Sequence, residues 1–171
     1  MKLKQQTEEA IAQVAPADYS RKLGPEANSI AELLKHLAGN FRSRWTNFLT
    51  SDGDKPDRDR DSEFVLTPTD TPESLRQAWD ASWKIFSSEY DQLTDADLNR
   101  MVTIRGEPHV VSRAILRSLT HAAGHVGQIV LLAKYYAGDN WKTLSIPRGQ
   151  SKPYHAAMQK RYAGGETLGD T

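Results

Sequence analysis

Thr120-His121-Ala122-Ala123-Gly124-His125-Val126-Gly127-Gln128 sets two imidazoles four residues apart inside the longest helical pattern of the chain. Positions i and i+4 of an α-helix share one face with Cβ atoms about 6 Å apart, so two ring nitrogens can converge on one cation. The pair alone is unspecific. It lacks the glutamate of the HExxH zinc-protease motif, and ordinary helices produce it by chance. The surrounding pattern covers residues 110–136, with Val111, Ile115, Leu119, Ala122, Val126, Ile129 and Ala133 on one face and Gly138 just beyond the end.

Three further helices are expected upstream. Residues 2–14 carry Leu3, Ala10, Ile11 and Val14 at near-helical spacing, ending before Pro16. Ser29-Ile30-Ala31-Glu32 matches a capping box, and Ile30, Leu33, Leu34, Leu37, Phe41, Trp45 and Phe48 then follow the helical period to about Leu49. Thr71-Pro72-Glu73 is a good helix start, with a hydroxyl N-cap, a proline at the first helical position and an acid at the positive end of the dipole. Leu75, Trp79, Trp83, Phe86, Tyr90 and Leu93 form the stripe that follows, most simply a core face. A strand pair, 101–104 and 108–111, is expected about an Arg105-Gly106 turn. Residues 50–70, rich in Asp and Arg, read as a solvated loop without the ligand spacing of a calcium site.

The fold class is therefore all-α: a four-helix bundle with a small hairpin before the last helix. The 171 residues have room for one sizeable core, and a single domain over 1–151 with a tail at 152–171, loose from Gly164, is expected. Trp141, Leu144 and Ile146 could fold back onto the bundle. Lys plus Arg and Asp plus Glu each number 22, so there is no concentrated positive field and nucleic acid is excluded as a partner. No cysteine is present, which leaves His, Asp, Glu or water as metal donors. Met1 to Glu9 lacks the apolar core of a signal peptide, and no apolar run approaches the ~20 residues of a membrane span. A soluble cytoplasmic protein with no membrane contact is the expectation.

A third ligand is sought among the remaining histidines. His155 lies in the C-terminal segment and His109 in the hairpin, whereas His36 sits within the second helix. At 100° per residue, with Leu37 as zero, the apolar face centres near about +20°, His36 at about −100° and Asn40 at about −60°. With Ala122 as zero, the last helix gives an apolar centre again near about +20°, His121 at about −100°, His125 at about −60° and Gln128 at about −120°. All three histidines flank the core on the same rotational side. Adjacent helices face each other across such flanks only when antiparallel, which a simple up-down-up-down order does not allow for helices two and four. The long connection at 50–70 permits the overhand crossing that would. A His36, His121, His125 seam between antiparallel neighbours is the consequence. His36 hydrogen-bonded at the bundle boundary, without metal, is the competing reading.

These residues, with Asn28-Ser29-Ile30-Ala31-Glu32-Leu33-Leu34-Lys35-His36-Leu37 and Trp141-Lys142-Thr143-Leu144-Ser145-Ile146-Pro147-Arg148-Gly149-Gln150, resemble the DinB-like (YfiT-like) metalloenzyme superfamily, and within it a subfamily of unknown function. The resemblance runs from about Glu9 to Ser151. It implies an up-down-down-up four-helix bundle in which His36, His121 and His125 hold a divalent metal such as zinc or nickel. It also implies a choice of activities: thiol-dependent transfer with mycothiol or bacillithiol, a mycothiol-dependent isomerisation, or metal-dependent hydrolysis.

Three neutral imidazoles leave open positions on a divalent metal, the arrangement of a catalytic site, which can activate a water or a low-molecular-weight thiol near neutral pH. A small-molecule substrate is the expected partner. Asn40 and Gln128, one turn from ligands, are candidates to orient that substrate. No carboxylate falls inside the HxxxH turn; Glu107 and Asp139 are the candidate bases, and Arg105 and Arg148 candidate anion binders. The outer side of the last helix carries Ala123, Gly124, Gly127 and Leu131 where charges would be usual, which points to a homodimer. The alternative to an enzyme is a helical scaffold or stress-response protein whose metal is structural or absent.

Overall fold

Four helices of the computed structural model, which describes residues 2–163, build the first of its two compact units, which ends at Asn140. They are α1 (Lys2–Ile11), α2 (Ile30–Trp45), α3 (Pro72–Tyr90) and α4 (Val111–Ala137). Strands β1 (Met101–Ile104) and β2 (Glu107–Val110) precede α4. The second unit, from Trp141, holds α5 (Ser151–Tyr162), a helix in a stretch read from sequence as tail. The looseness expected from Gly164 onward falls outside the described residues.

Local chemistry sets the helix starts. Ser29 Oγ accepts from the Glu32 amide at 3.2 Å, and the Ser29 amide donates to Glu32 Oε2 at 2.7 Å, so the capping box is complete. Thr71 accepts from the Ser74 amide at 3.1 Å with Pro72 at the first helical position. α4 stops at Gly138, whose φ of +52° is open to glycine and strained for other residues.

α2 packs on both α3 and α4, and α1 lies against α4. The α2–α3 contact is aromatic: Phe41, fully buried, meets Trp83 at 4.9 Å, Phe86 at 5.7 Å and Trp79 at 6.3 Å between ring centroids. α2 ends at Trp45, four residues short of the expected Leu49. Thr46 is extended, Asn47 takes a φ of +51°, and Glu89 of α3 accepts the Asn47 and Phe48 amides at 3.1 Å each. Phe48 is still buried and stacks on Trp45, which is why its apolar signal continued the helical pattern past the real end.

The hairpin forms about Arg105-Gly106, both at positive φ (58° and 74°), as a tight two-residue turn requires. Its second strand is shifted one residue from expectation, with Ile104 paired to Glu107. Asp52 fixes the turn by accepting from both the Arg105 and Gly106 amides at 2.8 Å.

The connection between α2 and α3 differs most from its sequence reading. It is polar, but it is not simply solvated. Ser43 of α2 donates to the Gly53 carbonyl at 2.9 Å and accepts from the Lys55 amide at 3.0 Å, while Lys35 grips Asp70 at 2.8 Å. Glu63 is buried and the Arg58 side chain is only 4% exposed. Charges of both signs within the segment, each with a partner, make that burial tolerable.

Candidate metal centre

α2 contributes His36, which is buried, and α4 contributes His121 and His125, which are half-buried. One ring nitrogen from each lies within 4.8 Å of the others. His36 Nε2 and His121 Nε2 are 3.2 Å apart, and the three ring centroids are separated by 4.7 to 5.1 Å. Two imidazoles on one tetrahedral zinc, at Zn–N of about 2.0–2.1 Å, hold their nitrogens about 3.3 Å apart, so the observed pair suits a shared cation. His109 and His155 lie outside this group.

His36 is aligned by a residue that sequence reasoning left in the solvated loop. Its Nδ1 lies 2.8 Å from Glu63 Oε2, where it donates to the carboxylate, and Nε2 is turned toward His121. Glu63 in turn accepts from Arg58 Nε and Nη2 at 2.8 and 2.9 Å. Burial acts to raise the Glu63 carboxyl pKa, but the His36 and Arg58 hydrogen bonds and the Arg58 charge outweigh it and hold the group below its ordinary value. Phe64, the next residue, stacks on the His36 ring at 4.7 Å. This carboxylate–histidine arrangement is how metal-binding proteins fix the tautomer and direction of a ligand ring.

Burial, and behind it the neighbouring imidazoles, lowers the His121 pKa to about 4. Burial lowers that of His125 as well, against a raising contribution from Gln128. Both rings are therefore neutral at pH 7 and have a lone pair to offer. Gln128 Oε1 lies 3.0 Å from His125 Nδ1, where it can accept the ring proton and so turn Nε2 inward. His121 Nδ1 is buried without a hydrogen-bond partner among the described residues.

Gly39 is the accommodation that brings Glu63 this close. A Cβ at residue 39 would stand 2.3 Å from Glu63 Oε1, so the carboxylate occupies the place of a side chain on α2. Gly39→Ala should therefore lose stability by about 1–3 kcal/mol through overpacking, although in an open helix it would gain about 1 kcal/mol. Thermal unfolding decides between the two signs, and a more stable variant would mean that Glu63 is free to move aside.

A family profile described as "protein of unknown function (DUF1572)" matches residues 1–150. The chain belongs to the DUF1572 family. The fold of this DUF1572 protein is also that of a DinB-like protein from Bacillus cereus ATCC 10987, solved as a crystal structure at 2.01 Å resolution. That likeness has a TM-score of 0.61, covers 78% of this chain and 85% of the other, and comes with 15% sequence identity. Among curated proteins, nothing matches the sequence. The DUF1572 chain thus has a DinB-like fold, as its sequence resemblance implied.

A cavity of about 220 Å³ adjoins His36 and His121. Asn40 lines it, buried, one turn along α2 from His36. Gln128, by contrast, serves His125 and is not among the cavity residues. Arg105 reaches the cavity rim, while Glu107 is exposed and engaged with Arg117 at 3.5 Å. Asp139 lies in the turn Gly138–Asn140 beyond α4, and Arg148 belongs to the second unit. Sequence reasoning missed Glu63, Arg58, Arg44 and Arg117. Glu63 had a signal: Phe64-Val65-Leu66 is the one apolar triplet in the connection. Arg117 had another, since it stands at i−4 from His121, beside the flank that the helical projection selected; Arg44 had none, because the projection sets it at about −20°, inside the apolar arc.

Proposed function

We propose that this protein is a metal-dependent enzyme acting on a small molecule in the cytoplasm, with His36, His121 and His125 as the ligands of one divalent cation. One observation carries the reading: three imidazoles from two helices converge within 4.8 Å, one of them held by a buried carboxylate. Zinc and nickel suit an all-nitrogen donor set. When bound, such a cation supplies Lewis acidity and eases ionisation of a thiol or water at neutral pH. Thiol-dependent transfer and hydrolysis are the two reaction classes that the superfamily resemblance supports. The chain's own part is to direct the rings inward, His36 through Glu63 and His125 through Gln128, and to seat a substrate beside Asn40.

The functional domain is residues 1–151, a limit supported by the family match over 1–150, in an up-down-down-up bundle. Supporting that order, His36 meets His121, whereas Trp45, further along α2, donates to Ser118, which lies earlier on α4, at 3.1 Å. Elemental analysis of tag-free protein after exposure to zinc, nickel and manganese tests the site. We expect close to one metal per chain, and none in a folded His36→Ala, His121→Ala, His125→Ala variant. Metal-free wild type under these conditions would leave the helical scaffold as the better account.

The outer face of α4 supports a homodimer. Leu116, Leu131 and Tyr135 are each 64% exposed, and a Cβ at Gly124 or Gly127 would meet nothing within 4 Å. Light scattering at micromolar concentration should give twice 19.1 kDa, falling to the single mass in Gly127→Arg. A monomeric wild type would refute the dimer.

A further inference from the structure

We propose that the cavity beside His36 and His121 binds the oxyanion of a small substrate, a carboxylate or phosphate, through Arg44 and Arg117. Five arginines line it, Arg44, Arg58, Arg60, Arg105 and Arg117, and among the described residues no acidic one does. Nearby acids answer only some of these charges. Arg58 is matched by Glu63 and Asp54, Arg105 by Asp54 at 2.8 Å, and Arg60 and Arg117 by exposed carboxylates at 3.8 and 3.5 Å. Arg44 forms no salt bridge among the described residues, and its buried Nη1 has no hydrogen-bond partner there.

A guanidinium buried among its own kind is costly until an anion arrives. Burial, followed by the charges of Arg58, Arg105 and Arg117, lowers the Arg44 pKa against the pull of Asp54, the direction an incoming anion would reverse. The larger groove on the other side of α2, about 650 Å³, makes the contrast. Its Lys35, Arg42 and Arg58 are interleaved with Asp57, Asp59, Glu63 and Asp70, so it carries no bias for anions.

Size and charge narrow the ligand. About 220 Å³ holds the volume of roughly seven waters and falls below the roughly 300–1,000 Å³ of drug-sized pockets. A small organic acid or phosphate ester fits. A polyanion does not, because the chain has no net positive charge and these cations surround one concavity instead of forming a track. Planar guanidinium forks suit carboxylate and phosphate oxygens two at a time. An anion held by Arg44 and Arg117 places the rest of its molecule toward Asn40, His36 and His121. That the anion belongs to a substrate rests on the metal-enzyme reading; that an anion binds rests on the arginines.

The test is isothermal titration of the full chain, metal-free and zinc-loaded, with succinate, inorganic phosphate and uncharged succinamide, alongside a separate zinc titration. Expected is 1:1 binding of succinate or phosphate to the metal-free protein, no binding of succinamide, and weakening by about tenfold or more in Arg44→Gln and Arg117→Gln. Arg113→Gln, exposed on the same helix and outside the cavity, should bind like the wild type. Circular dichroism checks folding; should Arg44→Gln unfold, the half-exposed Arg117 carries the test. Absence of binding by either anion in both metal states overturns the inference, as does undiminished binding in the arginine variants. Arginine-dependent anion binding without zinc uptake would sustain the anion site and refute the metal; zinc uptake without anion binding would do the reverse.

Discussion

Replacing Glu63 with leucine should weaken zinc binding by about 10–100-fold, the usual consequence of removing the group that orients a ligand histidine. The same change should destabilise the fold by up to about 3–5 kcal/mol, because Arg58 is left charged and buried with only Asp54, at 3.3 Å, to answer it. Both effects start from one geometry: Glu63 accepts from His36 at 2.8 Å and from two Arg58 nitrogens at 2.8 and 2.9 Å. They can be separated. Pairing Glu63→Leu with Arg58→Leu removes the orphaned charge, so most of the stability should return while zinc affinity stays low. Competitive chelation measures the affinity, and urea unfolding of the metal-free proteins measures the stability. Zinc affinity equal to wild type in the double variant would show that His36 finds its direction without Glu63.

Phe41→Ala should cost about 3–5 kcal/mol, the range for emptying a buried aromatic position. Its ring is fully buried among Trp79, Trp83 and Phe86, and it sits on the helix that also carries His36. For a chain of this length the melting temperature should fall by about 6–20 °C. Zinc at a hundred times its dissociation constant should then restore about 2.7 kcal/mol, since only the folded state unites α2 with α4. Calorimetry with and without zinc reads this. Equal rescue in a Phe41→Ala chain lacking the three histidines would place the metal elsewhere.

The bundle was legible because its helices announce themselves. Ser29 and Thr71 cap as their spacing implied, and most of the apolar periods of α2, α3 and α4 map onto buried faces; Tyr90, at the last turn of α3, is 43% exposed, and Leu93 falls beyond the helix end. The convergence of His36 with His121 and His125 was legible for the same reason, since a helical projection fixes direction before any contact is known. Glu63 was not. It comes from a connection with no period to project, and its burial depends on Arg58 five residues upstream and on the missing side chain at Gly39, both of which act through space. The early end of α2 was hidden by Phe48, which keeps its place in the core after the backbone has left the helix.

The seating of Glu63 in a connection also divides the molecule energetically. α2 and α4 hold their positions through apolar burial spread along their length, whereas the direction of His36 depends on a polar segment tied down by a few ion pairs and hydrogen bonds. Such segments open at a smaller free-energy cost than the core they rest on. The alignment of His36 therefore has its own opening equilibrium, nested inside global unfolding. Amide exchange around residues 54–63 would report how often the third imidazole is released while the bundle stays intact.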